Sequence, residues 1–214
     1  KQITFESPPE RIIALDAAAV EILFSLGEDH RVVGTHSFVT HPAGVTDIPK
    51  VGDAFNIDIE AIVDLKPDLV FLFYDRFSAS LERADLKVLY LESLNDDFIR
   101  VSDSIIMWGR ITGNISAAET NASEFKSRVQ RIENLMPKYS ANLSVFQDLG
   151  SFWTPGPDTL NGEVFELLKL KNVASDVSGY AQLSPEIIVE RNPQIIIAAE
   201  EQLYLNSPVF EDVQ

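Results

Sequence analysis

The chain contains no cysteine. Disulfides, thiolate catalysis and thiolate-held zinc or iron–sulfur clusters are therefore excluded, although the absence is compatible with either redox compartment. Positive charge is scarce as well: 17 Lys and Arg stand against 33 Asp and Glu, a formal net charge of −16. Phosphate backbones and anionic membrane surfaces require a basic footprint, so neither nucleic acid nor direct membrane insertion is expected. The longest apolar run, Leu69 to Tyr74, falls far short of a bilayer span. No charged-then-apolar leader precedes Lys1, so the expectation is a soluble chain from which any export signal or lipid anchor has been removed. Short enzyme signatures are missing too: there is no G-x-G-x-x-G, P-loop, G-x-S-x-G or H-E-x-x-H.

What is present is enough apolar residue for one large core or two small ones, 45% of 214 residues. A repeat favours two. Ile57-Asp-Ile-Glu-Ala-Ile-Val-Asp-Leu-Lys-Pro-Asp-Leu-Val-Phe-Leu-Phe73 aligns without a gap on Leu183-Ser-Pro-Glu-Ile-Ile-Val-Glu-Arg-Asn-Pro-Gln-Ile-Ile-Ile-Ala-Ala199. Identities fall at Glu60/Glu186, Ile62/Ile188, Val63/Val189 and Pro67/Pro193. Each copy reads as a short helix followed by a buried strand, and the period is too long for a solenoid, so two similar lobes are expected. Asp58 and Ser184 sit where an N-cap belongs, and Pro185 takes the first helical position. Glu60 and Glu186 then fall in the first turn, where unpaired amides and the helix dipole favour an acid. One such acid is ordinary; the same acid in both lobes suits docking onto a two-fold partner with basic pockets.

Along the chain, Arg11 to Asp16, Val32 to His36 and Lys87 to Glu92 read as strands, and Ala17 to Leu26 and Arg76 to Ala84 as helices, the first closed by Gly27. Strands alternating with helices imply parallel α/β sheets. From Asp97 to Pro137 the pattern is helical, with Trp108 on the apolar stripe and therefore in the core. The phase slips at Gly113-Asn114, and Ser116 with Glu119 makes a capping box, so a fresh helix is expected from about Ala117 to Met136, stopped by Pro137. Leu143 to Leu149 reads as a strand, Ser151 to Thr159 as a loop, and Glu163 to Leu170 as a helix. The expected division is an N-terminal α/β lobe at 1–112, a linking helix at 113–138 and a C-terminal α/β lobe at 139–214. That second lobe has fewer strands and ends just after a short helical phrase, Pro208 to Val213, so it is expected to be incomplete.

In open α/β sheets ligands meet the carboxyl ends of strands. Those ends carry Asp16, His36 with Phe38, Tyr74 with Arg76, Asp148, the loop bearing Trp153, and Tyr180 just before the second repeat helix. The set is aromatic with one cation, which suits a flat or chelated organic ligand. For Trp153 core packing and ligand contact weigh evenly; for Tyr74 and Arg76 ordinary packing weighs more. His30, His36 and His41, with Asp16 or Asp148 for oxygen, raise a metal alternative, but their spacing is no recognised ligand pattern, and neither a metal site nor a cofactor is expected.

Six phrases taken in order carry a resemblance: Pro9-Glu-Arg-Ile-Ile-Ala-Leu-Asp16, Val20-Glu-Ile-Leu-Phe-Ser-Leu-Gly27, Arg31-Val-Val-Gly34, Ile48-Pro-Lys-Val-Gly52, Ile59 through Val70, and Pro155-Gly-Pro-Asp-Thr-Leu160. Together they resemble the substrate-binding proteins of ABC importers for iron–siderophores, haem and cobalamin, across nearly the whole chain. The resemblance implies two Rossmann-like lobes with mainly parallel sheets, joined by a single long helix and closing slightly around a chelate held between them. It implies a monomeric, non-enzymatic receptor in the periplasm or at the cell surface that delivers its chelate to a dimeric permease. It also implies docking through one glutamate per lobe, matching Glu60 and Glu186, and ligand contact by aromatics matching Tyr74, Trp153 and Tyr180. Two departures stand out. The family's Gly-Gly-Glu-Asn is Lys169-Leu-Lys-Asn172 here, and the family's further strand and closing helix after Pro208 to Val213 are lacking. The alternatives are a Zn or Mn receptor of the same superfamily and an α/β enzyme with a carboxylate-lined cleft.

Overall fold

The structure, a computed structural model, describes residues 4–53, 55–91, 98–139 and 142–198. It divides into two compact units, one of Lys1–Ser93 with Val101–Phe125 and one of Leu94–Arg100 with Lys126–Gln214.

The first unit contains strands β1 (Ile12–Leu15), β2 (Val32–Thr35), β3 (Leu69–Leu72) and β4 (Val88–Tyr90). Its helices are α1 (Ala17–Ser25), α2 (Ile59–Asp64), α3 (Ser78–Arg83), α4 (Val101–Thr112) and the start of α5 (Ile115–Tyr139). The strands run parallel in the order β2-β1-β3-β4, with Ile12 opposite Leu69 and Leu15 opposite Leu72. Because side chains alternate along a strand, Ile12, Ala14, Leu69 and Phe71 enter one core with α1, α4 and the start of α5, while Ile13, Leu15, Val70 and Leu72 enter another with Ile62 of α2 and Leu81 of α3. A parallel sheet covered on both faces must be apolar throughout, which is why β1 and β3 are unbroken apolar runs. Each fully buried aliphatic side chain among them contributes about 2 kcal/mol. Trp108 is buried in the first of these cores, edge-on to Phe71 with ring centroids 4.9 Å apart.

Helix α5 begins at Ile115, two residues before the start expected from Ser116 and Glu119. Asn114 occupies the cap position: its carbonyl accepts from the Ala118 amide at 3.2 Å, while its side-chain amide donates to Leu26 O at 3.1 Å and to Glu28 Oε1 at 2.9 Å. Ser116 therefore lies inside the helix and the capping box does not form. Nor does Pro137 stop α5, which continues to Tyr139; a proline φ fits a helix and its missing N–H forfeits one bond near the end. The turn from α4 needs glycine twice. Gly113 has φ +82°, and a Cβ on Gly109 would lie 2.2 Å from Ala118 Cβ.

The second unit follows the order β5 (Ser144–Asp148), β6 (Trp153–Pro155), α6 (Leu160–Leu167), β7 (Lys171–Asn172), β8 (Tyr180–Gln182), α7 (Pro185–Arg191), β9 (Ile195–Ala198). Strands β7-β5-β9 form a parallel sheet, and β6 with β8 an antiparallel ribbon. Phe146, Ala174, Leu183 and Ile188 make the core. Two expectations change. Part of Ser151 to Thr159 is strand rather than loop, since an edge ribbon tolerates the missing N–H of Pro155. Helix α6 starts at Leu160 rather than Glu163, because Thr159 Oγ1 accepts from the Gly162 amide at 3.1 Å and caps it there. Lys169, where the resembled family has glycine, takes a left-handed φ of +56°. The phrase Pro208 to Val213 and whatever follows it lie outside the described residues.

Candidate functional site

The repeat extends to single atoms. Asp58 Oδ1 accepts from the Ala61 amide at 2.9 Å, and at the matching place Ser184 Oγ accepts from the Ile187 amide at 3.4 Å. Both helices leave through a left-handed residue, Lys66 at φ +48° and Asn192 at φ +44°. Beyond each, a side chain secures the start of the neighbouring strand: the Arg11 amide donates to Asp68 Oδ2 at 2.9 Å, and the Ser144 amide to Gln194 Oε1 at 3.1 Å. Within this shared frame Glu60 and Glu186 stand exposed in the first turns of α2 and α7. A hydrogen bond from the Ser184 hydroxyl holds the Glu186 carboxyl below its ordinary value.

In the first unit the parallel strands bring His36, Asp16 and the Tyr74–Phe77 segment to one edge of the sheet, the carboxyl edge. Asp16 caps α1 by accepting from the Ala18 amide at 3.1 Å, and burial raises its carboxyl pKa. His36 is 6% exposed. Its Nδ1 accepts from the Phe38 amide at 3.2 Å, so the ring proton resides on Nε2. Burial, reinforced by the nearby Lys50 ammonium, lowers the His36 pKa. Lys50 itself donates to Val39 O and Val45 O, each at 3.0 Å, tying down the loop that follows. Phe38 is left 63% exposed. Tyr74 is half-buried between Phe73 and Phe77, with centroids at 4.5 and 5.8 Å, and the exposed Arg76 guanidinium lies 5.4 Å from the Phe77 ring centroid.

In the second unit Trp153 opposes Gln182, and Pro155 opposes Tyr180. Trp153 and Tyr180 are consequently diagonal neighbours on one face of the ribbon, 46% and 43% exposed. Asp148, buried at the end of β5, accepts from the Gly150 and Phe152 amides at 2.8 Å each and so shapes the turn leading to Trp153. His30 and His41 are exposed, and among the described residues no three His, Asp or Glu side chains gather to hold a metal ion. Gly156 and Asp158, which the sequence pattern does not single out as site residues, contact residues 177–179 immediately before Tyr180. Their signal was the Pro155 to Leu160 phrase itself.

Two α/β units with parallel sheets and a long helix thus carry matched exposed acids and exposed aromatics. The chain belongs to the periplasmic binding protein family, which it matches over residues 12–209. It is 32% identical over 206 residues to a cobalamin-binding protein of Halobacterium salinarum, covering 91% of this chain and 55% of that one. It is 32% identical over 213 residues to an uncharacterized ABC transporter substrate-binding lipoprotein of Bacillus subtilis, YvrC, covering 94% of this chain and 67% of the other. The chain thus spans about half to two thirds of the length of these curated relatives. Among solved structures it is similar to the periplasmic vitamin B12-binding protein BtuF of Vibrio cholerae, with a TM-score of 0.79 and 25% identity over 94% of this chain and 80% of that chain.

Proposed function

We propose that the chain captures a cobalamin-type metal chelate outside the cytoplasmic membrane and hands it to the permease dimer of an ABC importer. It acts by binding and does no covalent chemistry. The observation that carries this reading is the matched capping of the two helices bearing Glu60 and Glu186, by Asp58 in one and Ser184 in the other, which offers a two-fold permease the same acid twice. Aromatic faces supply the other half: the exposed Trp153 and Tyr180, side by side on the ribbon, suit the broad, partly apolar surface of a corrin macrocycle, and within the first unit Phe38 and Tyr74 are aromatics of the same kind. Arg76 contributes the cation for an acidic substituent. The names of the 32%-identical Halobacterium relative and of the Vibrio structure favour a corrinoid over haem or a ferric siderophore.

The test is a titration of tryptophan emission with cyanocobalamin, hemin and a ferric hydroxamate siderophore. Cyanocobalamin is expected to quench the emission of the wild-type protein saturably, and Trp153→Ala, which removes one exposed ring face, to raise the half-saturating concentration. Unchanged emission with all three chelates would overturn the reading.

A further inference from the structure

The ribbon that presents Trp153 and Tyr180 is small. Strand β8 has three residues, alternately exposed, half-buried and exposed, and it pairs with β6. An isolated two-stranded ribbon is marginal in water, so pairing with β6 does not by itself hold Tyr180 in one orientation. Both ends are pinned from outside the ladder. At the Gln182 end, the Leu183 amide donates to Phe152 O at 3.1 Å and Gln182 Nε2 to Ser151 O at 2.8 Å.

At the Tyr180 end the restraint comes from the Pro155 to Leu160 phrase. Asp158 Oδ2 accepts from the Ser178 hydroxyl at 2.7 Å, and Asp158 Oδ1 accepts from the Gly179 amide at 2.7 Å. The Gly156 amide donates to Gly179 O at 2.7 Å, so the peptide groups on both sides of Gly179 are engaged immediately before Tyr180. Gly156 permits the approach: a Cβ there would lie 2.3 Å from Val177 O. Gly179 has φ +65°, a conformation that glycine adopts without strain. Thr159 completes the turn, donating to Gly156 O at 2.8 Å while capping α6.

We infer that Asp158 is a positioning residue for the chelate site, acting through Tyr180: its carboxylate clamps Ser178 and Gly179 and thereby sets the spacing of the Tyr180 ring from Trp153. Asp158 is itself exposed. Hydrogen bonds to an exposed carboxylate add little to global stability, so the effect of the clamp is local, on the segment that carries the aromatic ring. The Ser178 hydroxyl and Gly179 amide also keep the carboxyl below its ordinary value, so the clamp is ionised at neutral pH. The inference rests on the proposed function in that Tyr180 is taken to touch the chelate.

Two measurements test it on the full chain. Hydrogen exchange needs no ligand: in Asp158→Ala the amides of Gly179 and Ala181 are expected to exchange about tenfold faster or more, with β5 unchanged, and Asp158→Asn, which retains one acceptor, should fall between. Unchanged exchange in both variants overturns the clamp. The second measurement is a cyanocobalamin affinity cycle with Asp158→Ala, Tyr180→Ala and the double variant. Asp158→Ala is expected to cost about tenfold in affinity alone and nothing further once Tyr180 is alanine, because a residue acting through Tyr180 has no effect in its absence. Additive losses would mean that Asp158 acts by another route and would overturn the inference. If Tyr180→Ala leaves affinity unchanged, or the wild-type protein does not bind cyanocobalamin, the assignment of Tyr180 to a corrinoid site falls. The exchange result then still judges the clamp on its own.

Discussion

Ile62 and Ile188 occupy equivalent positions in two helices, each fully buried and each two residues beyond an exposed glutamate. The isoleucines fasten each helix to its own sheet, so the orientation of the acids depends on them. Replacing either by alanine removes apolar contact and leaves a cavity, at a cost of about 2 to 4 kcal/mol. Because the two residues lie in separate cores, the losses should appear in different parts of the molecule. Urea denaturation followed by hydrogen exchange is expected to show Ile62→Ala loosening the sheet of β1 to β4 and Ile188→Ala loosening β5 and β9. A uniform loss throughout the chain in both variants would show that the units do not melt separately.

Glu60→Arg and Glu186→Arg reverse a charge on an exposed first turn without touching either core. Each is expected to leave cyanocobalamin affinity within about twofold and to abolish uptake through the cognate permease, since like charges facing basic pockets cost several kcal/mol. Wild-type uptake by the double variant would refute the docking role.

The place of these glutamates in the first turns of α2 and α7 was legible from the repeat, and the first sheet was legible because doubly covered parallel strands leave continuous apolar runs. The ribbon was not. Trp153 to Pro155 becomes a strand through pairing with Tyr180 to Gln182, far along the chain, and the local signals of Pro155 and Gly156 argue for a turn. The start of α5 departs from the local pattern for a related reason. Ser116 and Glu119 have the spacing of a capping box, but the side chain of Asn114 reaches Leu26 and Glu28, and that tertiary contact sets the boundary at Ile115. His36 shows the limit most clearly: its place at a strand end suggests ligand contact, and its burial with Nδ1 facing the Phe38 amide follows only from the packing.

That histidine makes stability depend on pH in a defined direction. Burial and the neighbouring Lys50 ammonium lower its pKa below the ordinary value of 6.5, with Asp53 opposing them more weakly. The folded protein therefore binds fewer protons than the unfolded chain between the two values, so the stabilisation is complete above about pH 6.5 and is lost as pH falls towards the folded value. Protonating Nδ1 would also set one N–H against another and release the amide of Phe38. In His36→Asn the amide oxygen can accept from Phe38 and nothing titrates. Urea midpoints measured from pH 7.5 down to 5.5 are expected to show wild-type stability falling relative to the variant, by no more than about 1.4 kcal/mol per pH unit, the limit for a single proton. Carboxylates, His30 and His41 are common to both proteins and cancel in the difference. Parallel curves throughout that range would show that His36 titrates alike in the folded and unfolded chains, and the hold on Phe38 would have to be assigned elsewhere.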